Sequence, residues 1–251
     1  MRRIASETFS VYEKKHNIHA LTEIDVTTPR MLINQYKQKI GEKISFTAFI
    51  VNCVAKAIEE NEIVHAIRYG KKKIVIFDDV DIVTLVERFV NGESWPTYRT
   101  IRAANKKSLK EVHDEIRAAQ VEQVNINETK QLMKRFLKMP RFIRMPLRKR
   151  VQSNPFSIKK HTGTAIVTAV GMFGTGVGWG IPYVGYSLSV TIGGITRKPL
   201  VIENKIEIRE CLNLTLSFDH DIIDGAPAAR FLARLKELIE TGYEIESFNG
   251  K

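Results

Sequence analysis

From Thr162 to Thr196 the chain carries no charged side chain. So long a run without charge is difficult to leave in water. It contains Gly171, Gly174, Gly176, Gly178, Gly180 and Pro182, which are poor helix material. A membrane-crossing helix needs an unbroken run of about twenty apolar residues, and these residues interrupt one. Buried strands joined by glycine turns satisfy both facts. The stretch therefore predicts strands over Thr164–Val170 and Tyr186–Gly194, and a sheet that is buried and available as an interface.

A second pattern follows. Leu212, Leu214, Leu216 and Phe218 alternate with Asn213, Thr215, Ser217 and Asp219, the period-2 signature of a half-buried strand. It closes a strand predicted over Lys205–Phe218, with a bend. His220 falls on the apolar parity, so a regular strand would point its imidazole inward. Asp224 and Gly225 then turn the chain into a helix with Phe231, Leu232, Leu235, Leu238 and Ile239 on one face, ended by Gly242. A positioned histidine, which titrates near neutrality, is the usual general base.

Earlier in the chain, residues 4–15 read as a short helix anchored by Ile4, Phe9 and Tyr12, with His16 and His19 in a connector. Ala20–Val26 reads as a strand. Thr28 and Pro29 form an N-cap and first-turn pair, and Gly41 a C-terminal stop, for a helix over 29–40. Ser45 caps a helix whose Phe46, Phe49, Ile50, Cys53, Val54, Ala57 and Ile58 repeat at helical spacing. Ile67–Tyr69 and Lys73–Phe77 flank Gly70 as a hairpin, and Asp81–Glu87 is a further strand. Ser108 and Glu111 form a capping box. On the helix that follows, His113 is expected at the solvated surface.

The net charge of +11 has an address. Eleven of the 39 Lys and Arg lie between Lys130 and Lys160, where there is no Asp or Glu, so the remainder is balanced at 28 of each sign. Pro140 and Pro146 are expected to break this segment into short pieces. It reads as a solvated basic helical pair, a membrane-surface element, a substrate lid, or a phosphate-binding element. Cys53 and Cys211 make no disulfide framework and read as buried thiols in a reducing compartment. The N-terminal residues have no apolar signal core, so a cytoplasmic location is expected.

The stretch HDIIDG, preceded by LSFD and followed by APAARFLARLKELIE, resembles the HxxxDG signature of the chloramphenicol acetyltransferase superfamily. It is most similar to the catalytic domain of the acyltransferase component of 2-oxo-acid dehydrogenase complexes, with its DHRxxDG pattern. RRIASETFSVYEKKH, LTEIDVT, ISFTAFIVNCVAKAI, NKKSLKEVHDEI and GTAIVTAVGMFG resemble successive segments of that domain. The resemblance thus spans nearly the whole chain. It implies an α/β fold (a two-layer sandwich) with a mixed sheet, helices on one side, and a trimer. Residues 1–251 would form one catalytic domain with a basic insertion at about 130–160. Nothing resembles a lipoyl-bearing or subunit-binding domain.

The resemblance also implies roles. His220 would take a proton from the attacking group, and Thr168 would donate to the oxyanion. Asp224 would pair with an arginine, Arg3 or Arg2, and Gly225 would allow a tight turn or close helix approach. The site would lie between subunits, with the base from one and the hydroxyl from its neighbour. Two departures stand out: Asp221 replaces the arginine after the histidine, and Ala169 replaces a polar residue after the hydroxyl. The reversed charge at Asp221 should alter the pKa or hydrogen bonding of the base. An acyl-CoA donor with an unknown hydroxyl, amine or thiol acceptor is expected. A lipoyl substrate is disfavoured, and no tightly bound cofactor or metal is expected. The rival readings are an inactive scaffold of the same fold, attached to a membrane or complex through 130–150, and a nucleic-acid binder, for which no reader motif is present.

Overall fold

The computed structural model describes residues 15–70, 72–90, 93–122, 138–171, 178–183 and 185–249. The expected helix over 4–15, apart from Lys15, lies outside them, as do Arg2 and Arg3. Strands are β1 (Asn17–Asp25), β2 (Ile67–Tyr69), β3 (Lys73–Val75), β4 (Ile82–Val90), β5 (Glu93–Ile101), β6 (Ala165–Ala169), β7 (Leu188–Ile202) and β8 (Lys205–Asp219). Helices are α1 (Thr27–Ile40), α2 (Phe46–Glu59), α3 (Leu109–Val121), α4 (Arg141–Gln152), α5 (Pro155–Thr162) and α6 (Gly225–Glu240).

Six strands form one mixed sheet in the order β1-β8-β7-β6-β4-β5, while β2 and β3 pair separately. The β4–β6 and β6–β7 pairs are parallel and the others antiparallel. One face is apolar. Leu212, Leu214, Leu216 and Phe218 pack there with Phe49, Cys53, Val54 and Ile58 of α2 and with Phe231, Leu235 and Ile239 of α6. Phe218 and Phe231 meet edge to face, with centroids 6.0 Å apart. The predicted stripe on α2 is buried, but so are Val51, Asn52 and Ala55 between its members. A helix buried on nearly every side is a core element rather than a surface one.

The other face is polar, and it is buried too. Asn213, Thr215 and Ser217 of β8 and Ser189 and Thr191 of β7 are all buried. For β8, half-burial was the expectation from its alternation; for β7, burial was expected. The uncharged 178–183 segment accounts for part of the difference. Gly180 sits against Thr191, the Gly178 carbonyl against Gly193, and the Trp179 indole N–H donates to the Thr22 carbonyl at 3.3 Å. A Cβ on Gly193 would stand 2.5 Å from that carbonyl, so this crossing needs glycine.

Several elements differ from expectation. α1 starts at Thr27 rather than Pro29, because Asp25 Oδ1 accepts the Thr27 N–H at 2.9 Å and opens the turn early. Pro29 remains in the first turn, where its missing N–H costs nothing. β5 was not foreseen, although Asn91-Gly92 between the strands is a strong hairpin signal. β7 continues through Ile202 instead of stopping at Gly194. It is offset from β8 by an irregularity between Ile192 and Ile195, and it turns at Glu203 and Asn204, both with positive φ. Pro146 lies inside α4 and does not break it; one proline removes a single ladder bond, and the flanking bonds carry the helix through.

A buried polar knot joins the start of β4 and β6 to α5. His65 Nδ1 lies 3.0 Å from the Thr164 hydroxyl, which accepts the Asp81 N–H at 3.2 Å. Asp81 accepts Arg102 Nη1 at 2.8 Å and the Ala103 N–H at 2.9 Å. Arg102 also donates to the Lys159 and Lys160 carbonyls at the end of α5. Desolvation, helped by the Lys159 charge, lowers His65 from 6.5 to about 4. The folded chain thus keeps His65 neutral while the unfolded chain protonates it. Stability is fully present above about pH 6.5 and falls as pH drops from there towards 4. This one group contributes on the order of 3 kcal/mol to that fall. In urea unfolding across this window, His65→Gln should show a visibly flatter dependence of midpoint on pH than the parent chain; parallel curves would refute the assignment.

Candidate functional site at the end of the eighth strand

β8 does not run on into His220. The Asp219 carbonyl accepts the N–H groups of Ile222 and Ile223, both at 3.0 Å, and this tight turn ends the alternation. The imidazole is therefore 43% exposed instead of pointing into the core. Its backbone is anchored, since the His220 N–H donates to the His16 carbonyl at 2.6 Å. Asp219 is itself buried, with Lys15 Nζ 2.8 Å from its carboxylate and the Asp221 N–H donating to it at 3.2 Å.

The ring is anchored as well. His220 Nδ1 lies 2.8 Å from the Ile223 carbonyl oxygen. A carbonyl can only accept, so the proton of the neutral ring sits on Nδ1. Nε2 is left with its lone pair on an exposed ring. That is the protonation pattern a general base needs, and three residues of local turn set it.

The neighbouring carboxylates divide their work. Asp221 is held by Arg68 Nη1 at 3.3 Å and by His16 Nδ1 at 3.0 Å. Its charge is thus answered by partners from β2 and from the residue before β1, neither of which the sequence had singled out. Asp224 is 89% exposed, and its nearest approach to His220 is 4.0 Å to Nδ1. It occupies the N-cap position of α6 without making a side-chain cap bond. Its proposed partner Arg3 lies outside the described residues. Gly225 needs correction: a Cβ there would meet nothing within 4 Å, and its φ is ordinary. No turn or close approach within one chain requires glycine there.

Thr168 is half-buried on β6, in register with Thr191 of β7, which is opposite Thr215 of β8. This row runs across the polar face. It is far from His220. Five residues of strand at ~3.3 Å each and two strand spacings of ~4.8 Å place the two Cα atoms about 19 Å apart in one chain. The fold brings His220, Asp221 and Asp224 together and leaves Thr168 elsewhere.

His113 is not solvated. It is 1% exposed, and it accepts the Ser45 N–H on Nδ1 at 3.0 Å and packs edge to face on Phe248. Burial, then the charge of Arg117, lowers its pKa. Glu42, His113 and Asp114 bring ligand-type atoms within 4.8 Å of one another. Because Nδ1 is an acceptor, the proton resides on Nε2, which faces Glu42 at 3.4 Å. That atom has no lone pair for a metal.

Comparison with known proteins bears on the fold. Residues 145–246 match the family described as 2-oxoacid dehydrogenases acyltransferase (catalytic domain). Over that stretch the chain is similar to these acyltransferases. It is 25% identical over 231 residues to the lipoamide acyltransferase component of branched-chain alpha-keto acid dehydrogenase complex of Bacillus subtilis (strain 168), covering 89% of this chain and 47% of that one. It is 22% identical over 246 residues to the human mitochondrial dihydrolipoyllysine-residue succinyltransferase component of 2-oxoglutarate dehydrogenase complex, covering 95% and 47%. The chain thus spans about half the length of these curated relatives. The fold matches a probable dihydrolipoamide acetyltransferase from Listeria monocytogenes 4b F2365 with TM-score 0.70 at 23% identity, covering 96% of this chain and 92% of that one. It matches a chloramphenicol acetyltransferase with TM-score 0.51 at 13% identity, covering 93% and 94%. The α/β fold with a mixed sheet is therefore the chloramphenicol acetyltransferase-like one.

The tautomer has a direct readout. In ¹⁵N NMR of the folded chain with a neutral ring at His220, Nδ1 should give the protonated pyrrole-type signal and Nε2 the unprotonated one. The opposite pattern would sink the reading of the Ile223 contact.

Proposed function

We propose that this chain is an acyltransferase in which His220 is the general base. The observation that carries the reading is the Nδ1 hydrogen bond to the Ile223 carbonyl, which leaves an exposed Nε2 lone pair. Nε2 removes the proton of a thiol, hydroxyl or amine acceptor as it attacks a thioester carbonyl. The tetrahedral oxyanion accepts a hydrogen bond from the Thr168 hydroxyl. Collapse breaks the carbon–sulfur bond, and the departing thiolate takes the proton back from the imidazolium. Asp221, held by Arg68 and His16, fixes the loop that carries the base.

Thr168 cannot serve the His220 of its own chain from about 19 Å away. The site is therefore shared, with the hydroxyl contributed by a second copy, and a trimer is the assembly we assign. Acyl-CoA is the donor we favour. The relatives' names specify dihydrolipoyllysine residues, so dihydrolipoamide belongs among the acceptors to be tried.

The test is release of free coenzyme A from acyl-CoA thioesters of increasing chain length, with dihydrolipoamide and cell extract as acceptor sources. His220→Ala should lower turnover about 10²- to 10⁴-fold, and Thr168→Ala about 10²- to 10³-fold. Co-expressed, the two inactive variants should regain activity, with about a quarter of randomly assembled sites holding both intact groups. No recovery would place both groups in one chain's site or remove Thr168 from the mechanism. No turnover with any donor would favour a binding or scaffold protein of this fold, a reading that the Asp221 replacement motivates.

A further inference from the structure

The basic segment presents its side chains in an unusual order. Helix α4 buries an arginine and exposes its apolar residues. Arg144 is 1% exposed and donates from Nη1 to the Met139 carbonyl at 3.2 Å. Phe142 is 76% exposed, and Ile143, Leu147 and Val151, spaced four apart, form an exposed stripe beside it. Phe156 at the start of α5 is exposed as well. Lys149, Arg150 and Lys160 are exposed on the same two-helix unit, and Lys138 is exposed just before it. No acidic residue occurs from Lys130 to Lys160.

Exposed apolar area costs free energy in water, and that cost is removed when the outward face meets something apolar. The uniform positive charge around it narrows the choice. A second copy brings the same cation excess to a symmetric contact, and the rest of the chain is balanced in charge. A nucleic acid answers the cations but not Phe142 and Leu147. An anionic lipid surface answers both, with acidic headgroups for the lysines and arginines and the acyl boundary for the stripe. No helix among the described residues is long and apolar enough to cross a membrane. We propose that α4, with α5, is a docking element that lies in the headgroup region of anionic bilayers.

The experiment is co-sedimentation of the full chain with phosphatidylcholine vesicles, with and without phosphatidylglycerol. Binding is expected only when phosphatidylglycerol is present, weakening as salt rises. Lys149→Ala and Arg150→Ala should each weaken it about fivefold. Phe142→Ser with Leu147→Ser should weaken it at least about tenfold, whereas Phe142→Trp keeps it. His220→Ala should bind vesicles as the parent does, which separates this result from the acyltransferase assay. Absence of binding to the anionic vesicles overturns the proposal, as does equal binding to neutral ones. A changed oligomeric state in the Ser variant, with no vesicle binding by the parent, would make the stripe a contact between copies. Salt-sensitive binding to nucleic acid in place of vesicles would make the segment a phosphate-binding element.

Discussion

The register between β7 and β8 is the constraint on which the rest of the structure depends. It aligns Thr191 with Thr215 and Leu188 with Phe218, and the parallel strand β6 takes its own alignment from β7. Side chains on a strand alternate between faces, so a slip of one residue would send Leu212, Leu214, Leu216 and Phe218 to the polar side. It would also move the turn that carries His220. The irregularity at Gly193 and Gly194 is where the two strands reset, and it is where the Gly178 carbonyl closes over the sheet. One ladder thus sets the core, the hydroxyl row and the position of His220.

Electrostatics around His220 are arranged in pairs. The sequence offers three aspartates within five residues of His220, at 219, 221 and 224. Asp219 is buried and tied to Lys15, Asp221 is held between Arg68 and His16, and Asp224 stays in water. The charge reversal at position 221 is therefore matched by groups elsewhere in the chain. Arg68 comes from a short hairpin outside the main sheet, and so the hairpin reaches the loop that carries His220.

Much of this was legible in the sequence because it is periodic. The α2 stripe, the capping box at Ser108 and Glu111, and the β8 alternation are local patterns, and each formed where the spacing placed it. The resemblance carried by HDIIDG gave the fold. What was not legible depends on distant partners. His16 and Arg68 acquire a role only once β1 and β2 lie beside the β8 turn. Arg144 sits in a run of cations, and sequence spacing alone would leave it in water. His113 is different, because it could have been read. With Leu109, Val112 and Ile116 it completes a helical stripe, and all four residues are buried. Residue type outweighed position there, and position was the better guide.

In the proposed site, the separation of Thr168 and His220 within one chain has a consequence. A site built from two copies exists only as long as the copies stay together, so its specific activity depends on protein concentration through the association equilibrium. Dilution would switch such an enzyme off without unfolding it.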